Sequence, residues 1–140
     1  MLSALEKFIQ ALKDKGRSIS TILAYRKDIE QLIESVGNKD VKKVTEKEIE
    51  NFKKKLAKNG YTAKSISRKI NAIKSFFRFC QEKGLVESDP ATLVSHPKYE
   101  VASPRILSRI EYRALRDACR ENARLAAVIE LLLQTGVRIC

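Results

Sequence analysis

Thr62-Ala63-Lys64-Ser65-Ile66-Ser67-Arg68-Lys69-Ile70-Asn71-Ala72-Ile73-Lys74-Ser75-Phe76-Phe77-Arg78-Phe79-Cys80-Gln81 places Ile66, Ile70, Ile73, Phe77 and Cys80 at the three- and four-residue steps that share one face of an α-helix. Opposite that stripe stand Lys64, Ser67, Arg68, Asn71, Lys74, Ser75 and Arg78. These are cations and short hydrogen-bonding groups, and the stretch contains no acid. Thr62 is placed to cap the first turn with its hydroxyl, and Tyr61 and Ile66 have the spacing of a hydrophobic staple. The helix therefore predicts a core on one side and a cationic surface on the other.

The positive charge is regional. Residues 41–83 carry 13 of the 28 Lys and Arg but only 4 of the 17 Asp and Glu, while the flanking segments nearly balance. A field concentrated on one part of a small protein attracts a polyanion, most commonly a nucleic-acid backbone. With 140 residues, 44% of them hydrophobic and 32% charged, the chain suits one domain, or a small domain and part of a second. No apolar run approaches the ~20 residues of a membrane span. Glu6 interrupts the apolar start that a signal peptide needs, so cytoplasm, in association with the nucleoid, is the expected location. Cys80, Cys119 and Cys140 are odd in number and far apart, and His96 is the single histidine. That pattern predicts neither a disulfide framework nor a metal site. Cys80 is expected to pack in the apolar stripe, and His96, between Ser95 and Pro97, to be a solvated loop residue.

Outward from this helix, the five glycines stand where helical patterns stop, and Pro90, Pro97 and Pro104 fall within residues 85–107. The predicted order is four helices, an extended linker and two further helices. A first helix from about Ser3 to Lys15 buries Leu5, Phe8, Ile9 and Leu12, with Ser3 and Glu6 at capping-box spacing. A second, from about Ser20 to Val36, has Ile22, Tyr25, Ile29, Leu32, Ile33 and Val36 as its apolar stripe. The third opens on a Thr45–Glu48 capping box and buries Ile49, Phe52 and Leu56. Its lysines alternate with acids, which predicts a solvated face with Glu-to-Lys pairs four residues apart. Beyond the linker, Ser108 and Glu111 form another capping box, and a helix from about Asn122 to Thr135 is apolar over more than one face, as in a larger domain. No segment has strand periodicity, so the fold class is all-α.

Several segments together resemble one family, the tyrosine site-specific recombinases (phage integrases, especially the Xer-like branch). Arg17-Ser18-Ile19-Ser20-Thr21-Ile22-Leu23-Ala24-Tyr25-Arg26-Lys27-Asp28-Ile29 resembles the serine–threonine–tyrosine–aspartate segment of the second core-binding helix. Residues 61–79 resemble the fourth. Ser88-Asp89-Pro90-Ala91, then Ile106-Leu107-Ser108-Arg109-Ile110-Glu111-Tyr112, follow in the family's order. Leu131-Leu132-Leu133-Gln134-Thr135-Gly136-Val137-Arg138-Ile139 is similar to the Thr-Gly-hydrophobic-Arg box that carries the first catalytic arginine.

The resemblance implies a four-helix, SAM-like core-binding domain over residues 1–85, a proline-containing linker over 86–106, and the start of a catalytic domain over 107–140. It implies that the second and fourth helices face the major groove of double-stranded DNA. The residues expected at DNA are Ser20, Thr21 and Arg26 from the second helix, and Thr62, Lys64, Ser67, Arg68, Asn71, Lys74, Ser75 and Arg78 from the fourth. Arg138 maps onto the catalytic arginine that holds the scissile phosphate. In the complete family a tyrosine then attacks the phosphodiester without metal or nucleotide cofactor. That tyrosine follows the arginine box, whereas Tyr25, Tyr61, Tyr99 and Tyr112 all precede Arg138. The chain is therefore expected to be a truncated recombinase: a DNA-binding protein, with other recombinase protomers as further partners, and not an enzyme by itself. Two alternatives stay open: half of an enzyme whose complete form cuts and rejoins DNA, and a basic helical adaptor for an acidic protein or membrane surface.

Overall fold

A computed structural model describes residues 1–100 and 103–138; Val101 and Ala102 of the expected linker, and Ile139 and Cys140 at the end of the arginine box, lie outside the described residues. The chain divides into two compact units, Met1–Glu100 and Val101–Cys140. Among the described residues all regular structure is helical.

The first unit contains α1 (Leu2–Asp14), α2 (Ile19–Val36), α3 (Glu46–Lys58) and α4 (Ala63–Glu82), with a short 3-10 turn at Val41–Lys43. The helix ends follow local chemistry. Ser18 accepts from the Thr21 amide at 3.3 Å and Thr62 from the Ser65 amide at 3.2 Å. Thr45 and Glu48 close the expected capping box, with the Thr45 amide donating to Glu48 Oε2 at 2.9 Å. The box expected at Ser3 and Glu6 does not form. α1 begins one residue earlier, from Met1, whose ammonium donates to the Lys39 carbonyl at 2.7 Å. That bond ties the chain start to the segment after α2.

All four predicted apolar stripes meet in one core, and α4 is its central member, packed against α1, α2 and α3. A helix with three neighbours buries more than one stripe. Besides the predicted residues, α4 buries Ala72, Phe76 and Phe79. Phe8 of α1 meets Phe76 edge-on at 5.6 Å between ring centroids and lies 5.4 Å from Phe79, arrangements favoured by the ring quadrupoles. Tyr61, expected as half of a staple, is 38% exposed. On α3 the observed pair is Glu50–Lys53, three residues apart at 2.8 Å, and Glu48 pairs with Lys39, so the sequence-spaced Glu-to-Lys ladder is not what forms.

The segment after α4, expected to be an extended linker from residue 86, begins as part of the bundle. Val86, Ala91 and Val94 are buried in the same core. Asp89 Oδ1 accepts from the Ala91 amide at 2.8 Å, closing a side-chain turn that aims these residues inward. The prolines forbid a helix here, but they do not forbid packing. Burial, with Asp89 nearby, pushes the Cys80 thiol up to about 12, so this cysteine is an unreactive core residue.

The second unit holds α5 (Arg109–Ala118) and α6 (Ala123–Thr135). Ser108 and Glu111 form the expected capping box and Asn122 caps α6. Gly136, at φ 63°, adopts the left-handed conformation that ends α6, its amide donating to the Leu132 carbonyl at 2.9 Å. Arg116 bridges the two helices through Glu130 at 2.8 Å. Neither helix has a buried residue, and Leu125, Val128 and Leu131 are exposed.

This contrast predicts unequal mutational effects. Phe76→Ala should destabilise the bundle by about 3–5 kcal/mol, the usual range for emptying a core aromatic site. Leu131→Ala, on the exposed face of α6, should change stability by less than about 0.5 kcal/mol. Urea unfolding followed by circular dichroism measures both, and equal losses would contradict the described core.

Candidate nucleic-acid interface

Along α4, Lys64, Arg68, Asn71 and Arg78 are exposed and Lys74 and Ser75 half-buried, a single face with no acid on it. The side chains of Lys64, Asn71, Ser75 and Arg78 make no hydrogen bond or ion pair with the described residues. Ser67 differs from the sequence expectation, for it is buried, and its Oγ lies 3.1 Å from His96 Nδ1. Because α4 is enclosed on three sides, its polar face is narrower than one stripe opposite another would give.

Two charges on these helices lie inside the protein. Asp28 of α2 is 1% exposed and Lys69 of α4 is 5% exposed. Lys69 Nζ donates to Asp28 Oδ1 at 2.9 Å and to Gln31 Oε1 at 2.8 Å. It also lies 5.3 Å from the centre of the Tyr61 ring, and the Tyr61 hydroxyl meets Gln31 Nε2 at 3.2 Å. Arg68 closes the group from outside: Nη1 donates to Oδ2 at 2.7 Å and Nη2 to Oδ1 at 3.0 Å. A carboxylate taken from water requires such compensation, and here two cations supply it. The sequence carried a signal for this pair. Asp28 falls three residues after Tyr25 and four before Leu32, and Lys69 three after Ile66 and four before Ile73, so each interrupts an apolar stripe.

Residues 92–96 are fastened over α3 and α4 by side chains of both helices. Lys74 Nζ donates to the Thr92 carbonyl at 3.2 Å, Lys53 Nζ to the Ser95 carbonyl at 2.9 Å, and Ser67 meets His96 as described. His96 keeps the solvent exposure expected of a loop residue. Partial burial, then the nearby Lys74 and Lys53, hold its pKa below the ordinary histidine value.

The remaining expected residues divide by what occupies them. At the start of α2, Ser20 is exposed, and Thr21 is half-buried with its hydroxyl 2.8 Å from that of Ser18. Arg26 is engaged by Glu6 at 2.7 and 2.9 Å, with Glu30 also within reach at 3.6 Å. Its charge is therefore answered within the protein. Thr62 caps α4. In the second unit Arg138 is exposed, two residues beyond Gly136. Among the described residues no cluster of His, Cys, Asp and Glu is arranged to hold a metal ion, and no helix is long and apolar enough to cross a membrane.

Four helices around one core, with an acid-free outer face on α4, define an all-α helical bundle, and comparison places it. Residues 1–84 match the family described as phage integrase, N-terminal SAM-like domain. The chain belongs to the tyrosine recombinase (phage integrase) family, of which this bundle is the N-terminal domain. It is 32% identical over 148 aligned positions to tyrosine recombinase XerC of Roseiflexus castenholzii, covering 99% of this chain and 47% of the relative. Tyrosine recombinase XerD of Rickettsia bellii is 30% identical over 143 positions, covering 96% and 47%. The chain thus spans about half the length of these relatives. In fold it is similar to a lambda integrase dimer bound to a COC′ core site, with TM-score 0.82 and 22% identity over 99% of this chain and 50% of that one. XerA recombinase gives TM-score 0.56 and 27% identity over 97% of this chain and 47% of that one.

The buried charges make a stability prediction. Asp28→Ala leaves the Lys69 ammonium enclosed without a carboxylate and should cost about 3–5 kcal/mol. Arg68→Ala should cost less, about 1–2 kcal/mol, because Lys69 still neutralises Asp28. Denaturant midpoints of the two variants would show the order, and a reversed order would contradict the assignment of Lys69 as the interior partner.

Proposed function

We propose that the chain binds duplex DNA through α4 and the start of α2, as the N-terminal part of a tyrosine-type recombinase or integrase, and that strand cleavage is not its own activity. The acid-free outer face of α4 carries this reading. From Lys64 to Arg78 the helix advances ~21 Å at ~1.5 Å per residue, long enough to follow about six base pairs. Lys64 and Arg78 are free to neutralise phosphates, Asn71 and Ser75 are free to reach base edges, and a helix of this kind fits the ~12 Å width of the major groove. Lys74 adds a cation to this face of α4 while its ammonium donates to the Thr92 carbonyl, and Ser67 serves to fasten the strap of residues 92–96. Ser20 and Thr21 add hydroxyls and the positive end of the α2 dipole at a second point on the backbone. Lambda integrase, whose fold this chain shares, has been crystallised on a core site and as a tetramer on a Holliday junction. That supports DNA, and other recombinase protomers, as partners.

Arg138 maps by resemblance onto a catalytic arginine, and none of Tyr25, Tyr61, Tyr99 and Tyr112 is the attacking tyrosine in this reading. The tyrosines of the chain support it. Tyr25 packs 6.0 Å from Phe8, Tyr61 lies under Lys69, and Tyr112 lies under Arg116 with its hydroxyl 3.5 Å from Gln134 Nε2. These three have structural work, and all four tyrosines precede the arginine box rather than follow it.

Lys64→Ala and Arg78→Ala should each weaken binding to duplex DNA and together reduce the slope of log affinity against log salt by about 1.8, near 0.9 per phosphate contact. Helicity by circular dichroism should not change. Fluorescence anisotropy over a salt series reads both effects, and unchanged affinity in the singles and the double would refute the interface.

A further inference from the structure

Arg68 differs from the other cations of the α4 face, because one edge of its guanidinium is already engaged from below by Asp28. A guanidinium has two edges that present paired N–H groups: the end edge of Nη1 and Nη2, and the side edge of Nε and one Nη. Asp28 occupies the end edge, at 2.7 and 3.0 Å. The side edge makes no hydrogen bond with the described residues. The Arg68 side chain nevertheless remains 56% exposed. It lines a shallow hollow with Lys64, Ser65, Asn71 and Tyr99.

Two physical consequences set the kind of ligand that suits this edge. Asp28 is shared with Lys69, so the trio keeps a net positive charge, and Arg68 differs from Lys64 and Arg78 in geometry rather than in charge. Its plane is also fixed, so little conformational entropy remains to be lost on forming two parallel hydrogen bonds. A double acceptor of set geometry matches that fixed edge, and N7 with O6 of guanine is such a pair in the major groove. Lys69 completes the device: its ammonium donates to Asp28 Oδ1 at 2.9 Å and keeps the carboxylate in place beneath Arg68.

We propose that Arg68 reads a guanine through its side edge, with Asp28 as the positioning residue, while Lys64 and Arg78 supply the phosphate contacts. This rests on the reading that α4 faces duplex DNA. The test begins with selection from duplexes with a randomised central segment. The wild-type chain should enrich a motif with guanine at a fixed position. Replacing that guanine by adenine should weaken wild-type binding roughly 5- to 150-fold. Arg68→Lys, which keeps the charge but has no two-pronged edge, and Arg68→Ala should both lose that discrimination with little change in salt slope. Lys64→Ala should keep the discrimination and lower the slope by about one. Asp28→Asn combined with Lys69→Met removes both buried charges together and keeps Arg68, and it should lose discrimination as Arg68→Ala does. Wild-type-like discrimination by Arg68→Lys, or a uniform loss and flatter salt slope in Arg68→Ala, would overturn the proposal in favour of a phosphate contact. Binding by the wild type without guanine enrichment would overturn it too and leave the DNA-binding reading standing. Failure of the wild type to bind any duplex would remove both.

Discussion

A carboxylate withdrawn from water between two helices has to be neutralised where it lies, and Asp28 is neutralised only while α2 and α4 hold one alignment. Lys69 meets it from within the core and Arg68 from the surface. Both cations come from successive positions of one helix. A one-residue shift of α4 would turn Lys69 away and leave the charge stranded, so the interaction penalises every register but the native one. Apolar packing alone is more tolerant, because leucines and isoleucines accept a range of neighbours. The polar trio thus contributes to which arrangement forms, whatever its net contribution to stability.

That constraint ties the interior to the outer surface. α4 must serve as the central helix of the core while presenting cations outward, and the enclosure by α1, α2 and α3 leaves only a narrow strip for the second task. Lys64, Asn71 and Arg78 occupy the strip without partners among the described residues, whereas Ser67 and Lys74 are drawn into fastening residues 92–96. The proposed interface is accordingly a mixture of unpaired cations that add affinity and one braced arginine suited to discrimination. The two kinds of contact would respond differently to salt, because only the first kind releases counterions in full.

The two units of the chain stand in different physical condition. The first encloses its apolar residues, down to Val86, Ala91 and Val94 of the segment that follows α4. The second has caps, an inter-helix ion pair and a left-handed helix end, yet its helices bury nothing among the described residues. Local signals are enough to specify helices, but burial needs a third element to close over them. The chain spans about half the length of the curated relatives it matches.

Most of the architecture was legible in the residue order, because helix periodicity, caps and glycine stops act over a few residues. The stripes at Ile66–Cys80 and Leu5–Leu12, the Thr45, Thr62 and Ser108 caps, and the all-α class are all local properties. So was the regional excess of lysine and arginine. The structure alone decided which charges face water, since burial depends on neighbours remote in sequence. Lys69 and Arg68 are adjacent in the chain and nearly indistinguishable by composition, yet one is enclosed by Asp28, Gln31 and Tyr61 while the other stays at the surface. The same holds for Arg26, claimed by Glu6 from another helix, and for residues 92–96, where prolines suggested a free linker and tertiary packing supplied a strap. Periodicity determined the elements; the meeting of distant side chains determined which of their cations remained available.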